Sequence, residues 1–211
     1  MQFQNWFLVG DGCNYRSNRV RHKYIVAGWW RYRLLSGVDD RLWYLFIIPV
    51  PFLLALLVLH HTVSEEKKFW TIGALLFGVM YGVYVIQNYV VQLVTVAPAW
   101  LQGTLSEISV LNQTPHSLFW DLDALGYIFQ SFAFLIAYPV FEKHGLENLL
   151  RLFFMANGVN APLIAIIYFY PTFSLWLPIM LAISWAILVP GSMLLLALFF
   201  RKRGSLIESL R

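Results

Sequence analysis

Apolar residues in this chain fall in long unbroken runs, not in the alternation of a half-buried strand or the narrow stripe of a surface helix. Five runs stand out, at 42–61, 69–96, 117–141, 149–170 and 174–200. Each holds roughly the 20 residues that carry an α-helix across a hydrocarbon core of about 30 Å. No period-2 pattern of the kind that marks a β-barrel accompanies them. The pattern predicts an all-α fold, a polytopic transmembrane helical bundle of about five spans forming one domain over 42–203. A basic and aromatic N-terminal tail (1–41) precedes it and a cytoplasmic tail (204–211) follows it. No internal repeat is visible.

Composition supports lipid as the solvent. Hydrophobic residues make up 59% of the chain and charged residues 12%. A soluble domain carries about 25% charged residues, which are needed to cover its surface. Trp and Tyr, which favour the membrane interface, are abundant, with nine Trp in 211 residues. The net charge of +4 sits beside apolar spans and therefore reads as membrane orientation; no nucleic-acid partner is expected. The single cysteine, Cys13, excludes an internal disulfide and any multi-cysteine metal site. Met1 to Gly10 lacks the basic and apolar regions of a cleavable leader, so the first span is expected to act as its own insertion signal.

The charges also pose a topological conflict. Lys67, Lys68, Lys143, Arg151, Arg201, Lys202, Arg203 and Arg211 follow spans one, three and five, whereas the connections at 97–116 and 171–173 hold no Lys or Arg. The positive-inside rule then places the C-terminus in the cytoplasm. With five spans the tail would lie outside, although Arg16, Arg19, Arg21, Lys23, Arg31, Arg33 and Arg41 make it basic. Pro49 and Pro51, in the middle of the first run, offer an alternative. A proline-broken re-entrant hairpin would leave four true spans and put every basic cluster on one side. The tail segment from Tyr24 to Leu35 mixes basic and aromatic residues and reads either as interfacial or as an ordinary juxtamembrane stretch.

Polar residues within spans are costly and usually face the bundle interior. In span two, Tyr81, Tyr84, Asn88 and Gln92 share a helical face by their spacings of three and four. Gly78 and Gly82 form a small-xxx-small pair suited to close helix approach. Thr114-Pro115-His116-Ser117 reads as a helix start, with Thr114 as N-cap and Pro115 at the first helical position. From there His116, Trp120, Asp123, Tyr127 and Gln130 recur on one face. Span four adds Asn157 and Asn160. The candidate ligand-binding set is therefore Tyr84, Asn88, Gln92, His116, Asp123, Tyr127, Gln130, Asn157 and Asn160. Interhelical hydrogen bonding is the competing role for the amides, and helix-terminal capping for the carboxylates. No catalytic residues are assigned. No metal site is expected, since no zinc-type spacing occurs. No cofactor is expected either: His60, His61 and His144 sit at span ends, not at the matched depth of a haem pair.

Three runs carry a family resemblance: Gln87 to Pro98, Asn112 to Tyr127, and Met155-Ala-Asn157-Gly-Val-Asn-Ala-Pro162, together with the ending Leu-Phe-Phe-Arg-Lys-Arg203. Over about 75–203 the chain resembles a group of prokaryotic multi-span inner-membrane proteins of unknown function. It departs from their pattern at Thr114, where that turn has Asn. The resemblance implies a helical bundle in the inner (plasma) membrane and no particular activity.

The sequence thus reads first as a non-catalytic membrane protein, an accessory subunit of a larger complex or a homo-oligomer, with the lipid bilayer as its constant partner. A carrier or sensor of a small molecule or lipid, with a pocket between spans two, three and four, is the alternative. An intramembrane lipid-modifying enzyme is a third reading. It would use His116 as base, but Asp123 lies seven residues away, about 10.5 Å along a helix axis.

Overall fold

A computed structural model describes residues 48–169 and 176–209, and the basic tail lies outside the described residues. Six α-helices are present among them: α1 (Pro49–Thr62), α2 (Lys68–Val90), α3 (Ala97–Gln102), α4 (Leu118–Ala137), α5 (Gly145–Phe169) and α6 (Trp176–Ser209). No strand occurs among the described residues. A six-residue π-helical stretch, Val91–Val96, carries α2 into α3 without a break. The resulting rod, Glu65–Gln102, is one of four helical units long and apolar enough to cross a membrane; the others are Leu118–Val140, Gly145–Phe169 and Trp176–Gly204. Over the described residues the protein is an all-α bundle with four such helices.

The first run differs from the other four. Its described helix, α1, has only 14 residues and begins at Pro49. Pro49 and Pro51 occupy the first turn of this helix, where a missing N–H costs nothing. Residues 42–47 lie outside the described residues.

Helices in lipid gain little from hydrophobicity and must approach closely to gain dispersion contacts. Here a glycine lies at each major contact. Gly78 and Gly82 of α2 receive α1: a Cβ on Gly78 would lie 2.9 Å from Leu56 Cδ1, and one on Gly82 3.3 Å from Leu53 Cδ1. Gly126 lets α4 settle on Val85 and Tyr84 of α2, Gly158 brings α5 onto Leu135 of α4, and Gly191 brings α6 onto Phe153 of α5. Between the helices runs a chain of buried rings. Phe52 meets Phe134 at 5.2 Å, Phe134 meets Phe154 at 4.8 Å, and Phe154 meets Phe141 at 4.9 Å. Large apolar side chains such as Phe69, Leu76, Ile166, Met180 and Leu194 point outward, as lipid contact requires.

The two ends of the bundle differ in charge. All described Lys and Arg residues lie at the end holding the α1–α2 and α4–α5 connections and the C-terminal part of α6. There Lys67 Nζ donates to the Val140 carbonyl at 2.8 Å and pairs with Glu142. Arg203 donates to the Thr62 carbonyl at 2.8 Å and lies 3.8 Å from Glu147. The Lys67 ammonium holds the Glu142 carboxyl below the usual glutamate range. The opposite end, with the 103–117 connection, carries Glu107 and Asp121 and no described Lys or Arg.

Candidate functional site

The beginning of α4 departs from the expected cap. Ser117, not Thr114, is the N-cap: its backbone is extended and its Oγ accepts from the Trp120 N–H at 3.2 Å. Ser117 N–H in turn donates to the Thr114 carbonyl at 2.9 Å, closing a turn across Pro115 and His116. His116 occupies this turn with a φ of +63° and is exposed. It is therefore off the α4 face that it was expected to head. Trp120, Asp123, Tyr127 and Gln130 keep that face, because they lie beyond the true cap.

That face borders a cavity of about 140 Å³ between α4, α5 and α6. Asp123, Tyr127, Gln130 and Ser131 line it from α4, Asn157, Asn160 and Tyr168 from α5, and Trp185 from α6. Ile164, Pro178, Leu181 and Ala182 supply apolar wall. This is one helix further along than expected: between spans three, four and five, not two, three and four. The cause is the Gly126 contact. It seats α4 so closely on Val85 and Tyr84 that no room remains between α2 and α4, and α2 instead backs the site.

Asn88 of α2 provides that backing. It is buried, 1% exposed, and its Nδ2 donates to Asp123 Oδ1 at 2.9 Å and to Gln113 Oε1 at 3.2 Å. Gln92 does not reach the cavity. Standing in the π-helical stretch, it clips the following connection: its Nε2 donates to the Leu111 carbonyl at 2.7 Å and its Oε1 accepts from Gln113 N–H at 3.3 Å. A π-helical turn rotates side chains off the ordinary helical face, so Gln92 leaves the stripe of Tyr84 and Asn88. Tyr84 packs on Phe129, ring centroids 5.5 Å apart, and does not line the cavity either.

Asp123 is 7% exposed and forms no ion pair among the described residues. A buried carboxylate without a cation is costly. Deeper in the cavity Gln130, 2% exposed, accepts from Trp185 Nε1 at 2.8 Å. That indole N–H can only donate, which fixes the amide's orientation and turns Nε2 away from it. The Nε2 donor has no hydrogen-bond partner among the described residues. Buried polar groups are seldom left so. Asn157 is committed elsewhere: its Nδ2 donates across to Ser192 Oγ at 2.9 Å and to the Leu188 carbonyl at 3.3 Å, joining α5 to α6. Asn160, one turn on, is buried and lines the cavity.

Three lining residues that carry polar groups, Ser131, Tyr168 and Trp185, lie outside the set expected from sequence. Trp185 had a signal: Trp belongs at interfaces, so one in mid-span needs a partner for its N–H. Ser131 stands one turn beyond Tyr127 on the same face. Tyr168, stacked on Trp120 at 4.5 Å between centroids, carried no signal. No cluster of three or more His, Cys, Asp or Glu suited to a metal occurs among the described residues.

In comparisons with protein-family models, curated proteins and solved structures, nothing matches the chain. The site must therefore be interpreted from its own geometry.

Proposed function

We propose that this protein is a membrane-embedded binding protein, a carrier or sensor, for a small polar or amphipathic molecule held between α4, α5 and α6. The observation that carries the reading is a cavity bordered by both a buried carboxylate without a counter-ion and a buried amide donor without an acceptor. An interface built only to hold helices together satisfies its polar groups internally. Here two residues that line the cavity, Asp123 and Gln130, lack an ion-pair partner and an acceptor respectively among the described residues.

The reading includes an address and an orientation. The resemblance noted above implies a prokaryotic inner membrane. The basic end of the bundle faces the cytoplasm by the positive-inside rule, so the Asp123 end of the cavity faces the opposite side. Reporter fusions after Arg211 and within the 103–117 connection test this, and the same side for both would refute it.

To test binding, the protein is purified in a mild neutral detergent and its bound small molecules and lipids are identified by mass spectrometry. Ser131→Leu projects extra volume into the cavity and is the comparison. One compound held near stoichiometry by the native protein and lost from the variant supports the reading. Identical complements on both proteins refute it.

A further inference from the structure

The chemistry of the cavity wall selects among ligands. Asp123 is the one carboxyl side chain among its lining residues; the rest are amides, hydroxyls, aromatics and aliphatics. No Lys, Arg or His among the described residues lines it. A buried carboxylate is tolerated when a positive charge is brought to it, and none of the described residues brings one. Resting on the binding reading above, we infer that the ligand presents a positively charged nitrogen, an amine or quaternary ammonium group, to Asp123. The same chemistry is carried by a free soluble amine and by the headgroup of an aminolipid.

Three further features point the same way. The first is aromatic. Tyr127 and Trp185 meet edge to face, centroids 5.8 Å apart at 79°, and Tyr168 lies across the cavity wall, stacked on Trp120. Ring faces carry negative potential and attract organic cations. The second is long-range. The end of the bundle nearest Asp123 carries Glu107 and Asp121 and no described Lys or Arg, while Lys67, Lys68, Lys143, Arg151, Arg201, Lys202 and Arg203 occupy the far end. Such a field raises the local concentration of cations at the Asp123 end of the bundle. The third is size. A volume of about 140 Å³ is close to that of the roughly 150 Å³ engineered cavity that admits benzene. It accommodates a trimethylammonium or ethylammonium group.

Gln130 adds a second point of recognition. Its free Nε2 donor calls for an acceptor, which an ammonium lacks. The ligand therefore also carries an oxygen, such as a hydroxyl, ether or ester, deeper in the cavity than its nitrogen. Amino alcohols and their esters combine the two.

The test uses the full chain in neutral maltoside micelles. Its unfolding temperature is followed against tetramethylammonium chloride, ethanolamine hydrochloride and sodium chloride at matched ionic strength. A second arm measures retention of phosphatidylethanolamine against phosphatidylglycerol through delipidation. A saturable rise with either organic cation, absent with sodium, identifies a free amine as the source. Selective retention of phosphatidylethanolamine identifies a lipid headgroup. In whichever arm responds, Asp123→Asn is expected to weaken binding at least tenfold, while Glu66→Gln, an exposed carboxylate at the far, basic end, leaves it unchanged. Should Asp123→Asn fail to fold, Tyr168→Leu, which removes one ring face from the wall, is expected to weaken binding several-fold. Silence in both arms, with a neutral or anionic compound co-purifying and lost from Ser131→Leu, overturns the ammonium assignment and leaves the binding site standing. Silence in both arms with nothing bound removes both.

Discussion

The contact between α5 and α6 permits a quantitative test of what holds this bundle together. Asn157 is 2% exposed and Ser192 fully buried. The Asn157 amide has two hydrogens and three acceptors in reach: Ser192 Oγ, the Leu188 carbonyl, and the Phe153 carbonyl of its own helix. Asn157→Ala removes both interhelical bonds. Such bonds between membrane helices average about 0.6 kcal/mol and reach about 1.7, so the loss is expected to be about 1–2 kcal/mol. Ser192→Ala should cost less, about 0.6 kcal/mol or below, because the amide keeps two acceptors for its two hydrogens. The pair should also be only weakly coupled. When Asn157 is lost, the Ser192 hydroxyl can turn to Leu188, four residues back on its own helix, and restore that carbonyl's partner. A double-mutant cycle measured by reversible unfolding in mixed micelles, with Trp fluorescence as the signal, should therefore return a coupling near 0.6 kcal/mol. Asn160→Ala, on the same helix, should show no coupling to Ser192. A Ser192 coupling of zero would show that the bond contributes nothing. One well above about 1.7 kcal/mol would show that the hydroxyl finds no substitute, and the reasoning would fail.

Three other outcomes follow from the contacts described. Gly158→Ala places a Cβ 2.8 Å from Leu135 Cβ, an atom fixed to its backbone; overpacking costs about 1–3 kcal/mol against a helix-propensity gain of about 0.5–1, so a net loss is expected in the same unfolding assay, and a gain would refute the close approach. Gln92→Leu releases the Leu111 carbonyl and the Gln113 N–H, and should speed hydrogen exchange of the Gln113 amide while leaving α5 and α6 unchanged. For Glu142, whose carboxyl is lowered by Lys67, the contribution to stability is present above the ordinary glutamate value of about 4.3 and fades as pH falls through the lower folded value; the stability difference between the native protein and Glu142→Gln should shrink on acidification, and a difference that grows would contradict the pairing.

Much of the fold was legible because it depends on long-range averages. A run of twenty apolar residues marks a membrane helix whatever its neighbours do, and runs two to five correspond to the four long helices. The first run was harder to interpret, since Pro49 and Pro51 disrupt a helix only if it has already begun before them. In the structure α1 starts at Pro49, and the same residues become an N-terminal signal. Boundaries failed for a similar local reason. Thr114-Pro115 and Ser117-Leu118 both offer a cap, and the choice between them decides whether His116 is a helical residue or an exposed turn residue. Sequence spacing alone gives no preference; the Ser117 Oγ to Trp120 N–H bond does.

The site was legible by face but not by partner. The spacing of Asp123, Tyr127 and Gln130 required only that α4 be regular, and it is. Which helix closes the opposite wall is a question of crossing and separation, decided by glycines that look alike in the sequence. Gly126 closes the α2–α4 side down to backbone distance, whereas on the other side Gly158 and Gly191 meet Leu135 and Phe153 and leave space beside them. On α2 the amide N–H groups find partners, Asn88 on Asp123 and Gln113 and Gln92 on the 111–113 connection, although the Asn88 oxygen accepts from none of the described residues. Those facing α5 and α6 find them only in part. The resulting asymmetry has a consequence for Asp123. Its Asn88 partner fixes one oxygen from behind with a neutral donor, which orients the carboxylate toward the cavity without cancelling its charge. A salt bridge at the same place would have stabilised the bundle and closed the site to a cation. A neutral amide holds the carboxylate in position and leaves its charge available to a ligand.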